Sequence, residues 1–325
     1  MFNIRTDLAI ENREIYKKEN NCEVPGVEVY VDENDFDIKV TTVKVVSKDG
    51  AMIIGKPVGT YITIEAPQMK EYDADFQDSL SKIFAVQLSK ITQLDKDKTA
   101  MVVGLGNWNV TPDSLGPKVV SKLMITRHLK KYMPDELEEG INPVCAISPG
   151  VLGITGIETA EIVQGVVSKI KPDVLIVIDA LSSRKLDRVM TTFQLGDTGI
   201  APGSGVGNRR MELSKESMGV PVIAIGVPTV VDAATMANDT MDLMIDSLIN
   251  QTKNNKDFYN MLKSVDKEEK YSMIKEVLNP YVGNLVVTPK EIDALIDDVS
   301  KVIANGINIA LHPAVELKDI NRYIH

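Results

Sequence analysis

Cysteine is rare in this chain of 325 residues. The two cysteines, Cys22 and Cys145, stand far apart and without a C-x-x-C spacing. This excludes a disulfide framework and a cysteine-rich zinc site. We interpret both as buried thiols without a chemical role.

Histidine is nearly as rare, and none of the three residues, His128, His312 and His325, belongs to an H-E-x-x-H motif. His128 lies in a basic helical stretch, His325 is the last residue, and His312 precedes a proline in an apolar tail, where we interpret it as structural. A serine or cysteine nucleophile would therefore lack a well-placed imidazole base. If the protein is a hydrolase, carboxylates must transfer the protons.

Long apolar runs and basic patches are missing as well. No stretch approaches the ~18–20 consecutive apolar residues of a membrane-spanning helix, and the first residues have no apolar signal-peptide core. With 36 basic and 46 acidic residues the net charge is −10, and an acidic surface repels phosphate backbones. We expect a cytoplasmic protein that binds neither a membrane nor nucleic acid directly.

Short β-branched runs with alternating polarity fill the region from about 25 to 67. Such alternation is typical of antiparallel strands, and Asp49-Gly50 is a hairpin-turn signal. Residues 1–20 are polar and without lasting periodicity, so we interpret them as an arm. Apolar residues at helical spacing follow over 75–94.

From residue 100 onward, apolar runs alternate with helical patterns. Strands are predicted at 100–105, 143–147, 174–178 and 220–225, and helices at about 114–131, 158–171, 230–249 and 290–305. This alternation is typical of an α/β fold with a doubly wound, mainly parallel sheet flanked by helices. The β-rich region would be the smaller N-terminal part of a single domain over 8–325, with a helical surface insertion at about 251–280.

Ligands of an open parallel sheet bind beyond the carboxyl ends of its strands. Loop 104–117 with Asp113, loop 148–156 and Asp179 follow such ends. Asp179 comes directly after five apolar residues, where an ionised carboxylate is costly. Either it accepts hydrogen bonds from the backbone of a neighbouring loop, or its pKa is raised for function. For Asp113, helix capping is the alternative role.

Asp113 and Asp179 would face the same edge of the sheet. Two aspartates in one site cannot both ionise cheaply, so they hold one proton between them. Such a pair supplies a general base for water and a general acid for the leaving group, without histidine or metal.

Two other motifs are weak. The glycine-rich segment 199–208 fits neither the dinucleotide-binding nor the P-loop pattern. Asp197-Thr198-Gly199 is the triplet of pepsin-like proteases, but that fold is all-β and uses two such loops. We therefore interpret the triplet as a flexible loop.

Three sequence blocks resemble the germination proteases of spore-forming Firmicutes. They are residues 104–117 (GLGNWNVTPDSLGP), 148–156 (SPGVLGITG) and 197–208 (DTGIAPGSGVGN), and their order and spacing also agree. The resemblance covers essentially the whole chain. It implies an aspartic-type endopeptidase that degrades small acid-soluble spore proteins in the spore core during germination. It also implies a fold similar to that of hydrogenase maturation proteases, a homotetramer, and Asp113 and Asp179 as the catalytic residues, without cofactor or metal.

The resemblance further implies a zymogen that removes its own N-terminal propeptide. The family cuts after an acidic residue, within a sequence of threonine, glutamate, phenylalanine or isoleucine, and alanine. Thr6-Asp7-Leu8-Ala9 resembles that site. This predicts self-cleavage between Asp7 and Leu8, with a propeptide over 1–7.

Two further functions stay open. One is a metal-dependent processing enzyme like the hydrogenase maturation proteases, in which acidic oxygen ligands would suit Mg, Ca or Mn better than nickel or zinc. The other is a non-catalytic protein on an α/β scaffold that binds the spore protein without turnover. Loss of activity with a chelator would favour the first, and binding without cleavage the second.

Overall fold

The computed structural model describes residues 6–71, 73–133, 139–203, 210–251, 267–282, 285–317 and 319–320. The strands in this part of the chain are β1 (Val27–Glu33), β2 (Lys39–Val45), β3 (Gly59–Glu65), β4 (Ala100–Gly104), β5 (Val144–Ile147), β6 (Val174–Ser183), β7 (Thr192–Gly196), β8 (Val222–Asp232) and β9 (Val286–Val287). The helices are α1 (Ala9–Asn20), α2 (Lys48–Ile54), α3 (Ala74–Thr92), α4 (Leu115–Val120), α5 (Arg127–Tyr132), α6 (Leu152–Thr155), α7 (Thr159–Ile170), α8 (Lys215–Met218), α9 (Ala233–Gln251), α10 (Lys267–Val282) and α11 (Ile292–Leu311). The strands form one sheet in the order β1-β2-β3-β7-β8-β6-β4-β5, and β9 pairs with β8.

One half of the sheet is parallel, as its apolar strands predict. β4 pairs in parallel with β5 and β6, and β6 pairs in parallel with β8. Phe84 of α3, Leu115 of α4 and Ile303 of α11 pack into the core on one face. Val163 of α7 and Met218 of α8 pack on the other. Helices on both faces explain why β4 and the first five residues of β6 are apolar, and the predicted α/β fold is confirmed.

The β-rich N-terminal region extends this same sheet. β1, β2 and β3 form an antiparallel meander, and β7 joins it to the parallel half because it is antiparallel to both β3 and β8. The sheet as a whole is therefore mixed. Ala9 of α1 and Ile54 of α2 pack on one face of this half, against Val43 and Tyr61.

The hairpin turn predicted at Asp49-Gly50 is wrong, because helix α2 connects β2 to β3. The side chain of Ser47 accepts a hydrogen bond from the Gly50 N–H at 3.0 Å and caps the helix. A β-carbon at Gly50 would come within 2.6 Å of the Gly26 carbonyl oxygen. The glycine thus permits close packing of two backbones rather than a tight turn.

The interpretation of residues 1–20 as an arm is wrong for residues 9–20, because they form helix α1. Most of this helix is polar, so it shows no strong apolar stripe in the sequence. Charged contacts fix it instead. Arg188 lies 2.6 Å from Glu14, 3.1 Å from Glu65 and 3.4 Å from Glu11.

The helix predicted at 114–131 divides into α4 and α5. Between them, the Thr126 hydroxyl donates to the Asn142 carbonyl at 2.5 Å and accepts the Val144 N–H at 2.9 Å. These bonds hold the chain against the start of β5, so it cannot continue as one helix.

The expectation of two buried thiols is wrong as well, because Cys22 is exposed and Cys145 only partly buried.

Some predicted features lie outside the described residues, namely 252–266 of the surface insertion, 204–209 of the glycine-rich segment and His325. On the two sides of residues 252–266, α9 ends at Gln251 and α10 begins at Lys267. Among the helices that the structure describes, none is both long and apolar enough to cross a membrane.

Candidate active site

A cleft with a volume of about 640 Å³ opens over the middle of the sheet. Its floor contains Gly196 of β7 and Ala224 and Gly226 of β8. Alternate residues of a strand share a face, so Ala224 and Gly226 lie on the same face as Val222, which packs in the α7 and α8 core. Small side chains at these positions leave room above the sheet, and the cleft forms there.

Asp113 is held at the cleft by the loop that follows β4. The backbone N–H of Asn107 donates to the Asp113 carboxylate at 2.9 Å and to its carbonyl oxygen at 3.0 Å. The loop folds this tightly because Gly106 has φ +112°, and a β-carbon there would lie 1.9 Å from the Asp113 carbonyl oxygen. The carboxylate belongs to a short 3-10 turn, Thr111–Asp113, and its hydrogen bond spans the loop rather than capping α4.

Asp179 lies within β6, which continues past the predicted end of the strand as far as Ser183. It pairs with Gly226 of β8 and is only 7% exposed. The backbone N–H of Ala180 donates to its carboxylate at 3.0 Å. A single N–H from the next residue compensates a buried charge only weakly. This favours a pKa raised for function over a structural role in which the carboxylate accepts hydrogen bonds from a neighbouring loop.

The pKa values of the two carboxyl groups are both raised, but by unequal amounts. Burial raises the pKa of Asp113, while the hydrogen bond from Asn107 lowers it. Burial raises the pKa of Asp179 well above its ordinary value, and the negative charges of Asp113 and Asp7 raise it further. These shifts favour Asp113 as the carboxyl that ionises first and Asp179 as the one that keeps its proton. Such a pair can supply a base and an acid at the same time.

The N-terminal segment of the chain occupies the same cleft. Asp7 is 9% exposed and Leu8 and Ala9 are fully buried. The Asp7 N–H donates to the Ser182 carbonyl at 3.0 Å, and the Asp7 carboxylate accepts the Ser182 N–H at 3.0 Å. The predicted self-cleavage site thus lies in the cleft that contains Asp113 and Asp179.

Leu8 enters an apolar part of the cleft. Its side chain clusters with Ile10 and Leu181, and Ile200 packs against them. Leu181 takes the space above Gly226, where a β-carbon would lie 2.4 Å from its Cδ1 atom. The glycine is therefore required for the position of Leu181 and, through it, of Leu8.

Of the other predicted loops, 148–156 contributes Gly150, Val151 and Leu152 to the cleft. The Asp197-Thr198-Gly199 triplet also reaches it through Thr198 and Gly199. Asp197 itself has a structural role, because its carboxylate accepts the Thr60 N–H at 2.7 Å. This agrees with the interpretation of the triplet as a loop rather than a pepsin-like catalytic motif.

His312 is structural, as predicted. It is fully buried, and its Nε2 atom lies 3.2 Å from the Met124 carbonyl oxygen. Burial lowers its pKa to about 4, although the contact with Met124 opposes the shift. At neutral pH the ring is therefore uncharged.

Sequence reasoning missed several polar residues of the cleft, among them Lys56 and Gln194. Lys56 follows α2; burial lowers its pKa and the nearby charge of Asp7 raises it. Gln194 lies in β7, whose five residues were not recognised as a strand. The alternation of Thr192, Phe193, Gln194 and Leu195 just before a turn triplet was the available signal.

Two carboxyl groups with raised pKa values line a cleft that the N-terminal segment also enters. Hydrolysis of a peptide bond needs groups that can exchange protons, so the site fits a peptidase. The chain belongs to the germination protease family, whose model matches residues 4–262 and 245–324.

Relatives extend over the whole chain. It is 59% identical to the germination protease of Clostridium tetani over 322 residues, which are 99% of each chain. It is 58% identical to that of Clostridium perfringens over the full length of both, and 44% identical to that of Bacillus velezensis over 100% of this chain and 97% of the other. Among solved structures, the NiFe hydrogenase maturation protease HycI from Thermococcus kodakarensis is similar over 44% of this chain and 80% of its own, with 19% identity and a TM-score of 0.30.

Proposed function

We propose that this protein is an aspartic-type endopeptidase that begins the degradation of small acid-soluble spore proteins in the spore core, working as a homotetramer without a cofactor. The observation that carries the proposal is that Asp113, Asp179 and Asp7 line one cleft, with Leu8 packed against Leu181 of the same cleft. The ionised Asp113 takes a proton from water as the water attacks the peptide carbonyl. Asp179, which keeps its proton, protonates the leaving amine.

The proposal includes self-processing between Asp7 and Leu8. The segment 6–9 enters the cleft of its own chain, where the Asp7 side chain is held by the Ser182 N–H and lies near Lys56. An acidic side chain is thereby matched by a backbone donor and a cation, which supports cleavage after an acidic residue. In this proposal the propeptide consists of residues 1–7 and the peptidase domain of 8–325.

The dyad is tested with Asp113→Asn and Asp179→Asn, assayed on a purified small acid-soluble spore protein. Each substitution removes one of the two proton-transfer groups, so we expect each to lower the cleavage rate by at least about 10²-fold. Asp78→Asn, which changes an exposed aspartate of α3, is the matched control and should cleave at the wild-type rate. Cleavage at the wild-type rate by either dyad variant would refute the mechanism.

Self-processing is tested by mass spectrometry of the activated protein. We expect a new N-terminus at Leu8 in the wild-type chain and an intact chain in the Asp7→Ala variant. Cleavage should persist in a chelator, and loss that is restored by Mg or Mn would favour the metal-dependent alternative instead. A first cut elsewhere in the chain would contradict the assignment of Asp7–Leu8.

A further inference from the structure

We propose that Gln194 binds the carbonyl oxygen of the peptide bond that is cut and stabilises the negative charge that forms on it. The inference rests on the proposed function, since it takes Asp7–Leu8 as the bond that is cut. It adds a third group to the proposed chemistry, besides the two aspartates.

The contacts of the Gln194 side chain fall on both sides of this bond. Its Nε2 atom donates to the Asp7 carbonyl oxygen at 3.1 Å. Its Oε1 atom accepts the Ala9 N–H at 2.7 Å. Because an N–H can only donate, the bond to Ala9 fixes which end of the amide is the oxygen. The NH₂ group is therefore directed at the carbonyl that the water activated by the dyad would attack.

The sheet register sets Gln194 at the level of Asp179. Asp179 of β6 and Gln194 of β7 both pair with Gly226 of the intervening strand β8. Paired residues point to the same face, so both side chains project into the cleft. Two strand spacings separate their backbones by roughly 10 Å. Between them, Leu181 packs over Gly226, and Leu8 of the N-terminal segment packs against Leu181.

The surroundings strengthen such a contact. Leu8 and Ala9, on the side of the leaving amine, are fully buried, and Leu181 and Ile200 pack around Leu8. A hydrogen bond to a developing charge is worth more in a water-poor environment than in solvent. The donor is also in place before the reaction starts, so no reorganisation is needed when the charge appears.

The chemical step balances with these groups. The water oxygen forms a bond to the Asp7 carbonyl carbon, its proton goes to Asp113, and the π-electron pair moves to the carbonyl oxygen, which Gln194 holds. The tetrahedral intermediate then collapses, the C–N bond breaks, and Asp179 gives its proton to the Leu8 nitrogen. The products are a new C-terminal carboxyl group at Asp7 and a new N-terminal amino group at Leu8.

The test separates carbonyl binding from simple anchoring of the segment. Gln194→Glu keeps an oxygen for the Ala9 N–H but, at about pH 8, where a glutamate is ordinarily ionised, has no donor for the Asp7 carbonyl. Gln194→Met removes both bonds. Gln164→Met is the matched control, because Gln164 is exposed and bonds only to the Ser217 carbonyl. Two quantities are measured on the full chain: the rate constant of self-cleavage, and the hydrogen-exchange protection of the Ala9 amide in an Asp113→Asn background.

We expect both Gln194 variants to slow self-cleavage by about 10²–10³-fold, the range for loss of one donor to a developing oxyanion. Gln194→Glu should keep the Ala9 protection within about threefold, and Gln164→Met should cleave normally. Cleavage by Gln194→Glu within about threefold of wild type would overturn the inference, as would a loss of protection equal to the loss of rate, because Gln194 would then only anchor the segment. A wild-type chain that never cleaves at Asp7–Leu8, or an Asp113→Asn chain that does, would overturn the proposed function as well.

Discussion

At the scale of single residues, Asp179 shows how the site conflicts with stability. A carboxyl that is 7% exposed and near the charges of Asp113 and Asp7 is costly to ionise. Its raised pKa means that the folded chain binds this proton more tightly than the unfolded chain does. The stability that this carboxyl contributes through its bound proton is present at low pH and is lost as the pH rises through the raised pKa.

We therefore expect Asp179→Asn to abolish cleavage and to raise the free energy of unfolding by about 1–3 kcal/mol near neutral pH. The gain should grow with pH, because the wild-type carboxyl is penalised more as it is driven to ionise. Urea denaturation at several pH values measures it. Asp113→Asn is the comparison and should gain less, since the Asn107 N–H already stabilises that carboxylate. A variant at Asp179 that is less stable than wild type at high pH would contradict this account.

His312 gives a second prediction, in which the difference in proton binding between the folded and unfolded chains has the opposite sign. Its pKa in the folded chain is about 4, below its ordinary value of 6.5, because the ring is buried. The unfolded chain then binds the proton more tightly, so stability is present above pH 6.5 and is lost as the pH falls toward 4. The loss due to this residue is about 3 kcal/mol.

The pH dependence of unfolding in His312→Gln should therefore be shallower than that of wild type by about this amount between those two pH values. The carboxylates titrate in both proteins, so the difference isolates the histidine. His128→Gln, at an exposed position, should leave the wild-type slope unchanged. Identical slopes for wild type and His312→Gln would show that burial of this ring does not control acid stability.

At the scale of secondary-structure elements, α1 is fixed by charge rather than by an apolar stripe. Arg188, at 7% side-chain exposure, lies between Glu11, Glu14 and Glu65. Glu11 in turn accepts the Arg184 N–H at 2.8 Å and bonds to the Thr6 hydroxyl. These bonds connect the helix to the loop after β6 and hold the N-terminal segment in the cleft.

Arg188→Met should lower the free energy of unfolding by about 3 kcal/mol, because it leaves the buried Glu11 and the partly exposed Glu14 and Glu65 without this cation. Arg13→Met is the matched control. Arg13 pairs with the exposed Glu23 at 2.6 Å, and such a surface pair contributes only about 0–1 kcal/mol. Guanidinium denaturation measures both variants. Equal losses in the two would mean that the buried cluster is no more important than a surface ion pair.

The elements that the sequence predicted well are those with a strong apolar pattern. β4 and α3 lie close to their predicted bounds, and both Asp113 and Asp179 reach the predicted edge of the sheet. α1 and β7 were missed because polar contacts and a few pairing residues define them. Neither signal is periodic, so hydrophobic pattern cannot reveal it. Gln194 was missed with β7, since its place in the cleft depends on a register that only the folded sheet provides.

At the scale of the whole molecule, Asp7 of the same chain lines the cleft. Asp7 and Ser182 exchange two hydrogen bonds, and Gln194 holds the backbone on both sides of Leu8. Because Leu8 and Ala9 are fully buried, a second molecule cannot reach the Asp7–Leu8 bond unless the segment leaves the cleft. The fold therefore favours cleavage within one chain over cleavage between chains.

This predicts first-order self-processing, with a rate constant that does not change over a hundredfold dilution of the protein. Asp113→Asn chains mixed with active wild-type enzyme should stay intact over the time in which the wild-type chains are fully processed. Mass spectrometry of an isotope-labelled variant follows both populations in one sample. A rate that rises in proportion to concentration, or rapid processing of Asp113→Asn by wild type, would require the segment to leave its own cleft before the cut. The contacts of Asp7, Leu8 and Ala9 would then belong to a conformation that has to open before cleavage. The bonds that hold the peptide beside the two aspartates of its own chain also keep it away from the active site of a second molecule.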